Sequence, residues 1–264
     1  MSDTIEDKTK LIVYRGWLDR GKHVWSPFVI KLEARLRFAG VTYITEAGST
    51  LTAPKGKIPY IKYREIDDSP TTTLGDSTLI IKHLVERNIL PNINANVPPT
   101  TRAQDLALRS LLEEKLYFYH TWELWDQNYY QMREHILQGL PYPMRVVIGL
   151  LIHRNTMKTL NGQGTNRHTP EEIRAFREEI WEAINELLLS SKTTKGSADG
   201  RPFWILGGEG PTEADATLFG FIVCVLVCTA RQESQRLVKG FPIILEYAER
   251  IHDIYFPDYE KWGQ

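Results

Sequence analysis

Cysteine is almost absent from this chain of 264 residues: Cys224 and Cys228 are the only two. They lie four apart, on one face of any helix that carries them, and a disulfide between them has poor geometry. No other Cys or His lies close enough in sequence to complete a zinc set. Both are expected as buried free thiols, which pack as small hydrophobes. An excess of either charge is missing too. A net charge of −1 gives no electrostatic basis for gripping nucleic acid or an anionic membrane, so neither is expected as a partner. The longest apolar run, residues 216–230, falls short of the roughly 18 residues of a bilayer span. A stretch apolar on every side is expected instead at the centre of a helical domain. The first residues, Met1-Ser2-Asp3-Thr4-Ile5-Glu6-Asp7, lack the basic and apolar regions of a secretory signal, and the tail Tyr259-Glu260-Lys261-Trp262-Gly263-Gln264 carries no anchor. A cytoplasmic protein is expected.

What remains is ordinary globular composition, 42% hydrophobic and 25% charged, with enough chain for two domains. Residues 11–14 read as a strand, and Ser26-Pro27 as the N-cap and first position of a helix that Gly40 closes. Residues 41–46 read as a second strand, 59–63 as a third and 71–74 as a fourth, with a turn at Asp67-Asp68-Ser69-Pro70. A helix over 77–87 follows. Pro91, Pro98 and Pro99 mark a connector over 89–100. Beyond it the pattern is wholly helical: 101–133, 143–160, 170–190, the apolar run, and 242–254, with a polar loop at 192–201. Thr212 and Asp215 have capping-box spacing ahead of the apolar helix. The expected domains are 1–88, an α/β unit, and 101–264, an all-α helical bundle.

Two segments carry the chemistry. Gly56-Lys57-Ile58-Pro59-Tyr60-Ile61 is an apolar strand opened by proline, and a cis Ile58–Pro59 bond leaves the Ile58 backbone facing outward. Gly75-Asp76-Ser77-Thr78-Leu79-Ile80 is a helix start with Asp76 or Ser77 as cap, and such an end attracts a carboxylate. An exposed backbone edge beside a helix start suits a small acidic peptide. The pair resembles the thioredoxin-like domain of glutathione transferases. Ser26-Pro27-Phe28-Val29-Ile30-Lys31-Leu32-Glu33, continuing through Leu36-Arg37-Phe38-Ala39-Gly40-Val41-Thr42-Tyr43, is similar to the first helix of the branch holding failed-axon-connections proteins and metaxins. Some fungal enzymes of natural-product metabolism are related.

The resemblance implies a glutathione site. Ile58 would pair its backbone with the cysteinyl part, beside Pro59. Asp76 and Ser77 would take the γ-glutamyl end, and Lys57, or less directly Lys55, the glycyl carboxylate. Many relatives have cysteine where this chain has Val29, so thiol–disulfide chemistry is not expected. Tyr14 or Ser26 is left to stabilise the glutathione thiolate by donating a hydrogen bond. Residues 117–130 are unusually aromatic, and Tyr117, His120, Trp122 and Trp125 would border the site of a hydrophobic electrophile. His120 and Glu123 lie three apart without a third ligand, so no metal is expected. The implied activity is a glutathione-dependent transferase or a cis–trans isomerase. A non-catalytic scaffold of the metaxin type is the alternative, and a homodimer is expected by analogy.

Overall fold

The computed structural model describes residues 10–64, 70–195 and 201–263. Its first unit is a four-stranded sheet with helices on one face. Strands β1 (Lys10–Tyr14), β2 (Ile44–Glu46), β3 (Tyr60–Arg64) and β4 (Thr72–Gly75) lie in the order β2-β1-β3-β4. β1 runs parallel to β2 and antiparallel to β3, which pairs antiparallel with β4. Side chains alternate along β1, so Leu11 and Val13 face inward with Ile61 and Tyr63 of β3. Onto that face pack Leu32 and Leu36 of α1 (Pro27–Phe38) and Ile80, Ile81 and Leu84 of α2 (Ser77–Glu86). The turn expected at 67–70 lies, apart from Pro70, outside the described residues.

The second unit is helical. The single helix expected over 101–133 is in fact α3 (Pro99–Leu111), α4 (Tyr117–Trp122) and α5 (Tyr129–Leu137), joined by two i→i+5 turns at Leu112–Leu116 and Glu123–Gln127. Each wide turn shifts the helix phase by one residue. α6 (Tyr142–Gln163) and α7 (Pro170–Lys195) follow, and α7 extends into what the sequence suggested was the 192–201 loop. α8 (Glu213–Val227) is buried at every residue from Ala214 to Leu226. Asp215 accepts the Thr212 N–H and hydroxyl, both at 2.8 Å, on one oxygen, and the Ile205 N–H and Tyr247 hydroxyl, also at 2.8 Å, on the other. α9 (Gln232–Lys239) has no counterpart in the sequence reading, and α10 (Pro242–Tyr255) closes the bundle. Among the described residues no single helix is long and apolar enough to cross a membrane. Cys224 and Cys228 are buried free thiols, and burial pushes Cys228 up to about 12.

α1 joins the two units. It crosses α8 so closely that a Cβ on Gly220 would sit 2.5 Å from the Pro27 carbonyl oxygen. Its charged side chains are buried and reach across. Lys31 Nζ lies 2.6 Å from Glu113, Arg35 Nε lies 2.7 Å from Glu213, and the Tyr259 hydroxyl donates to Glu33 at 2.9 Å. Arg15 Nε faces the same Glu33 carboxylate at 3.2 Å. The Lys-Leu-Glu stretch is thus an inter-domain clamp whose charges are paired where they are desolvated.

Candidate functional site

Three segments of the first unit meet at one end of its strands. At the start of α1, Ser26 Oγ accepts the Val29 N–H at 3.4 Å. A hydroxyl has one proton and two lone pairs, so capping leaves the Ser26 proton available to donate outward. Ahead of β3, the Ile58–Pro59 bond is cis, and Ile58 makes no backbone hydrogen bond among the described residues. Its side chain occupies space that only glycine leaves at position 16, where a Cβ would lie 2.6 Å from Ile58 Cδ1. At the start of α2, Asp76 has φ +80°, a conformation costing a non-glycine residue roughly 1–3 kcal/mol. From there its Oδ1 accepts the Thr78 and Leu79 N–H groups at 3.0 and 3.1 Å. The N–H and hydroxyl of Ser77 are left without partners among the described residues, although Ser77 is only 4% exposed.

The helical unit supplies the facing wall. Glu113, Glu114, Tyr117, Phe118, Thr121, Leu124 and Trp125, recurring at helical spacing, line a cavity of about 430 Å³ together with Ser26, Lys57, Ile58, Asp76 and Ser77. Phe28 packs on Tyr117, with ring centres 5.1 Å apart. Trp25 stacks on His135 of α5 at 3.5 Å, and Trp17 lies 5.3 Å from the same ring. Burial lowers the His135 pKa, so the ring is neutral where the two units meet. Tyr117 is driven the other way by burial, and its hydroxyl stays protonated.

Seven residues singled out by sequence therefore meet in one cavity: Ser26, Lys57, Ile58, Asp76, Ser77, Tyr117 and Trp125. Pro59 is buried behind Ile58. Four others lie elsewhere. Tyr14 sits on the sheet face opposite Val13, stacked at 4.3 Å on its cross-strand partner Tyr60. His120 and Trp122 point to the opposite side of the aromatic helix, into the core. His120 packs between Trp181 and Phe221, and burial drives its pKa well down. Lys55 packs near Gly75 rather than lining the cavity. Sequence reasoning missed Trp17, Trp25, Phe28 and Arg231, which all line it. Trp25 and Phe28 flank the Ser26-Pro27 cap and were accessible from that position. Arg231 was not, because it comes from the start of α9.

The chain matches known protein families at both its units. A family model described as the glutathione S-transferase N-terminal domain covers residues 27–132, and one described as the glutathione S-transferase C-terminal domain covers 200–251. The chain belongs to the glutathione S-transferase superfamily. Solved structures agree with its fold. Glutathione transferase GSTFuA2 from Phanerochaete chrysosporium is 17% identical, with a TM-score of 0.56 over 93% of this chain and 98% of that one. A glutathione S-transferase from Rhodospirillum rubrum is 16% identical, with a TM-score of 0.56 over 92% and 87%. A Burkholderia graminis glutathione transferase crystallised with two glutathione molecules per subunit is 13% identical, with a TM-score of 0.51 over 91% and 82%. At these identities the likeness is one of fold. The cavity lies between the two units, and the Ser77 donors and Ile58 backbone, without partners among the described residues, lie on the thioredoxin-like side.

Proposed function

We propose that the chain is a glutathione-dependent enzyme that transfers glutathione to, or isomerises, a hydrophobic electrophile. The observation carrying this reading is Ser77, a residue only 4% exposed whose N–H and hydroxyl have no partners among the described residues, at the positive end of a ten-residue helix opening into the cavity. Buried donors are normally satisfied, and the γ-glutamyl carboxylate supplies the missing acceptors. Ile58 presents an N–H and a C=O to the cysteinyl amide, and the exposed Lys57 stands where the glycyl carboxylate would end. The sulfur then faces the start of α1, where Ser26 donates its proton to the thiolate and favours the charged form. The remaining wall is aromatic and apolar, suited to an electrophile held beside that sulfur. The signature around Ser26 and the buried Lys31 and Glu33 support a place in the failed-axon-connections branch.

Catalysis is tested by following glutathione together with the electrophile. With a chloronitrobenzene acceptor, the reading expects a thioether to form as chloride leaves and glutathione is consumed one for one. With a conjugated cis-enone, it expects reversible addition, rotation and release, so the trans isomer appears while total glutathione stays constant. Turnover of neither, in a protein that binds glutathione, favours a non-catalytic glutathione-binding role.

A further inference from the structure

Arg231 is 2% exposed and lines the cavity from the helical side. A buried guanidinium is ordinarily held by a carboxylate. This one is not. Among the described residues its one side-chain hydrogen bond runs from Nη1 to Cys224 Sγ at 2.6 Å, and Nε is buried without a partner. The nearest acidic group, Glu123, is fully engaged. One oxygen accepts the Glu233 and Ser234 N–H groups at 3.0 and 3.1 Å, and the other accepts the Ser234 hydroxyl and Arg177 Nη1, the latter at 2.8 Å. Glu113 is likewise bound to Lys31. The guanidinium is also locked in place: its thiol partner donates in turn to the Trp25 carbonyl at 3.1 Å, tying Arg231 to the rim of the cavity.

Building on the proposed glutathione reading, we infer that Arg231 receives an anionic group of the second substrate, and that this substrate is an apolar or aromatic electrophile bearing a carboxylate. Phe118, Leu124, Trp125 and Met132 surround the same space and set the apolar body of the ligand. A carboxylate accepts a charge-assisted hydrogen bond from the guanidinium that a neutral polar group does not match. Buried as it is, the guanidinium favours a charged ligand over a neutral one of the same shape. The anion is thus anchored on the helical side, away from Lys57, which is exposed on the thioredoxin-like side.

The test is calorimetric titration of the whole chain with 4-phenylbutyrate and with its neutral amide, 4-phenylbutanamide, without glutathione and at saturating glutathione. The wild type is expected to prefer the carboxylate at least tenfold. Arg231→Gln should bring the ratio to about one, and Arg231→Lys should keep part of it. A wild-type ratio of one or less overturns the inference by itself, whether or not Arg231→Gln folds. A preference that survives in folded Arg231→Gln overturns it too. The arm without glutathione separates the two readings: if glutathione does not bind but the carboxylate preference disappears in Arg231→Gln, the anion site stands and the glutathione reading fails.

Discussion

At the scale of single residues, the chemistry rests on which hydroxyl reaches the sulfur. Ser26 lines the cavity and Tyr14 does not, because strand parity turns Tyr14 toward Tyr60. Replacing Ser26 with Ala should therefore raise the pKa of bound glutathione, read as lost thiolate absorbance near neutral pH. It should also cost about 0.5–1 kcal/mol of stability through the weakened cap. Tyr14→Phe should leave the thiolate signal unchanged, and a fall equal to that of Ser26→Ala would contradict this placement. The sequence showed the residue types of the site more clearly than their directions. His120 and Trp122 stand among aromatics on every side of one helix, so no polar stripe marked which face met the cavity. The two wide turns then moved the phase by a residue each.

The elements themselves were legible wherever a local signal exists. Ser26-Pro27, the proline before β3 and the Thr212–Asp215 box each mark an element start through neighbouring residues alone. α9 was illegible because its cap comes from far away: Glu123, fully buried, accepts the first N–H groups of a helix that begins more than a hundred residues later. A polar stretch such as Gln232-Glu233-Ser234-Gln235 reads as a loop without that partner. The same limit applies to Arg231, whose position depends on α9. The α1–α8 crossing tests this scale most sharply. Gly220→Ala puts a methyl group 2.5 Å from a backbone oxygen and 2.9 Å from the Lys31 nitrogen. The helices must separate, and a loss of about 1–3 kcal/mol is expected in denaturant melts. Unchanged stability would mean that the crossing is looser than described.

For the whole molecule, buried charge joins the two units, and buried neutral imidazole gives the stability its pH dependence. Among the described residues, the buried His23 and His120 have no hydrogen-bond partner on either ring nitrogen, and desolvation is the main cause lowering both pKa values. In the unfolded chain each titrates near the ordinary value of about 6.5. Below that pH the unfolded state takes up protons that the folded state refuses, so stability is complete above about 6.5 and falls as the pH drops. The slope reaches at most about 1.4 kcal/mol per pH unit for each ring. Melts between pH 7 and 5 should show this decline, and His120→Phe should make it shallower. A slope unaffected by that substitution would remove His120 from the account.

The central claim is that the Ser77 end of α2 and the Ile58 edge hold glutathione, and its most direct test is calorimetric titration of the wild type and Ser77→Ala with reduced glutathione. The expected result is micromolar to low-millimolar binding that weakens about tenfold in the variant, or about 1.4 kcal/mol. Absence of any binding at several millimolar glutathione, or equal affinity in the two proteins, would contradict it.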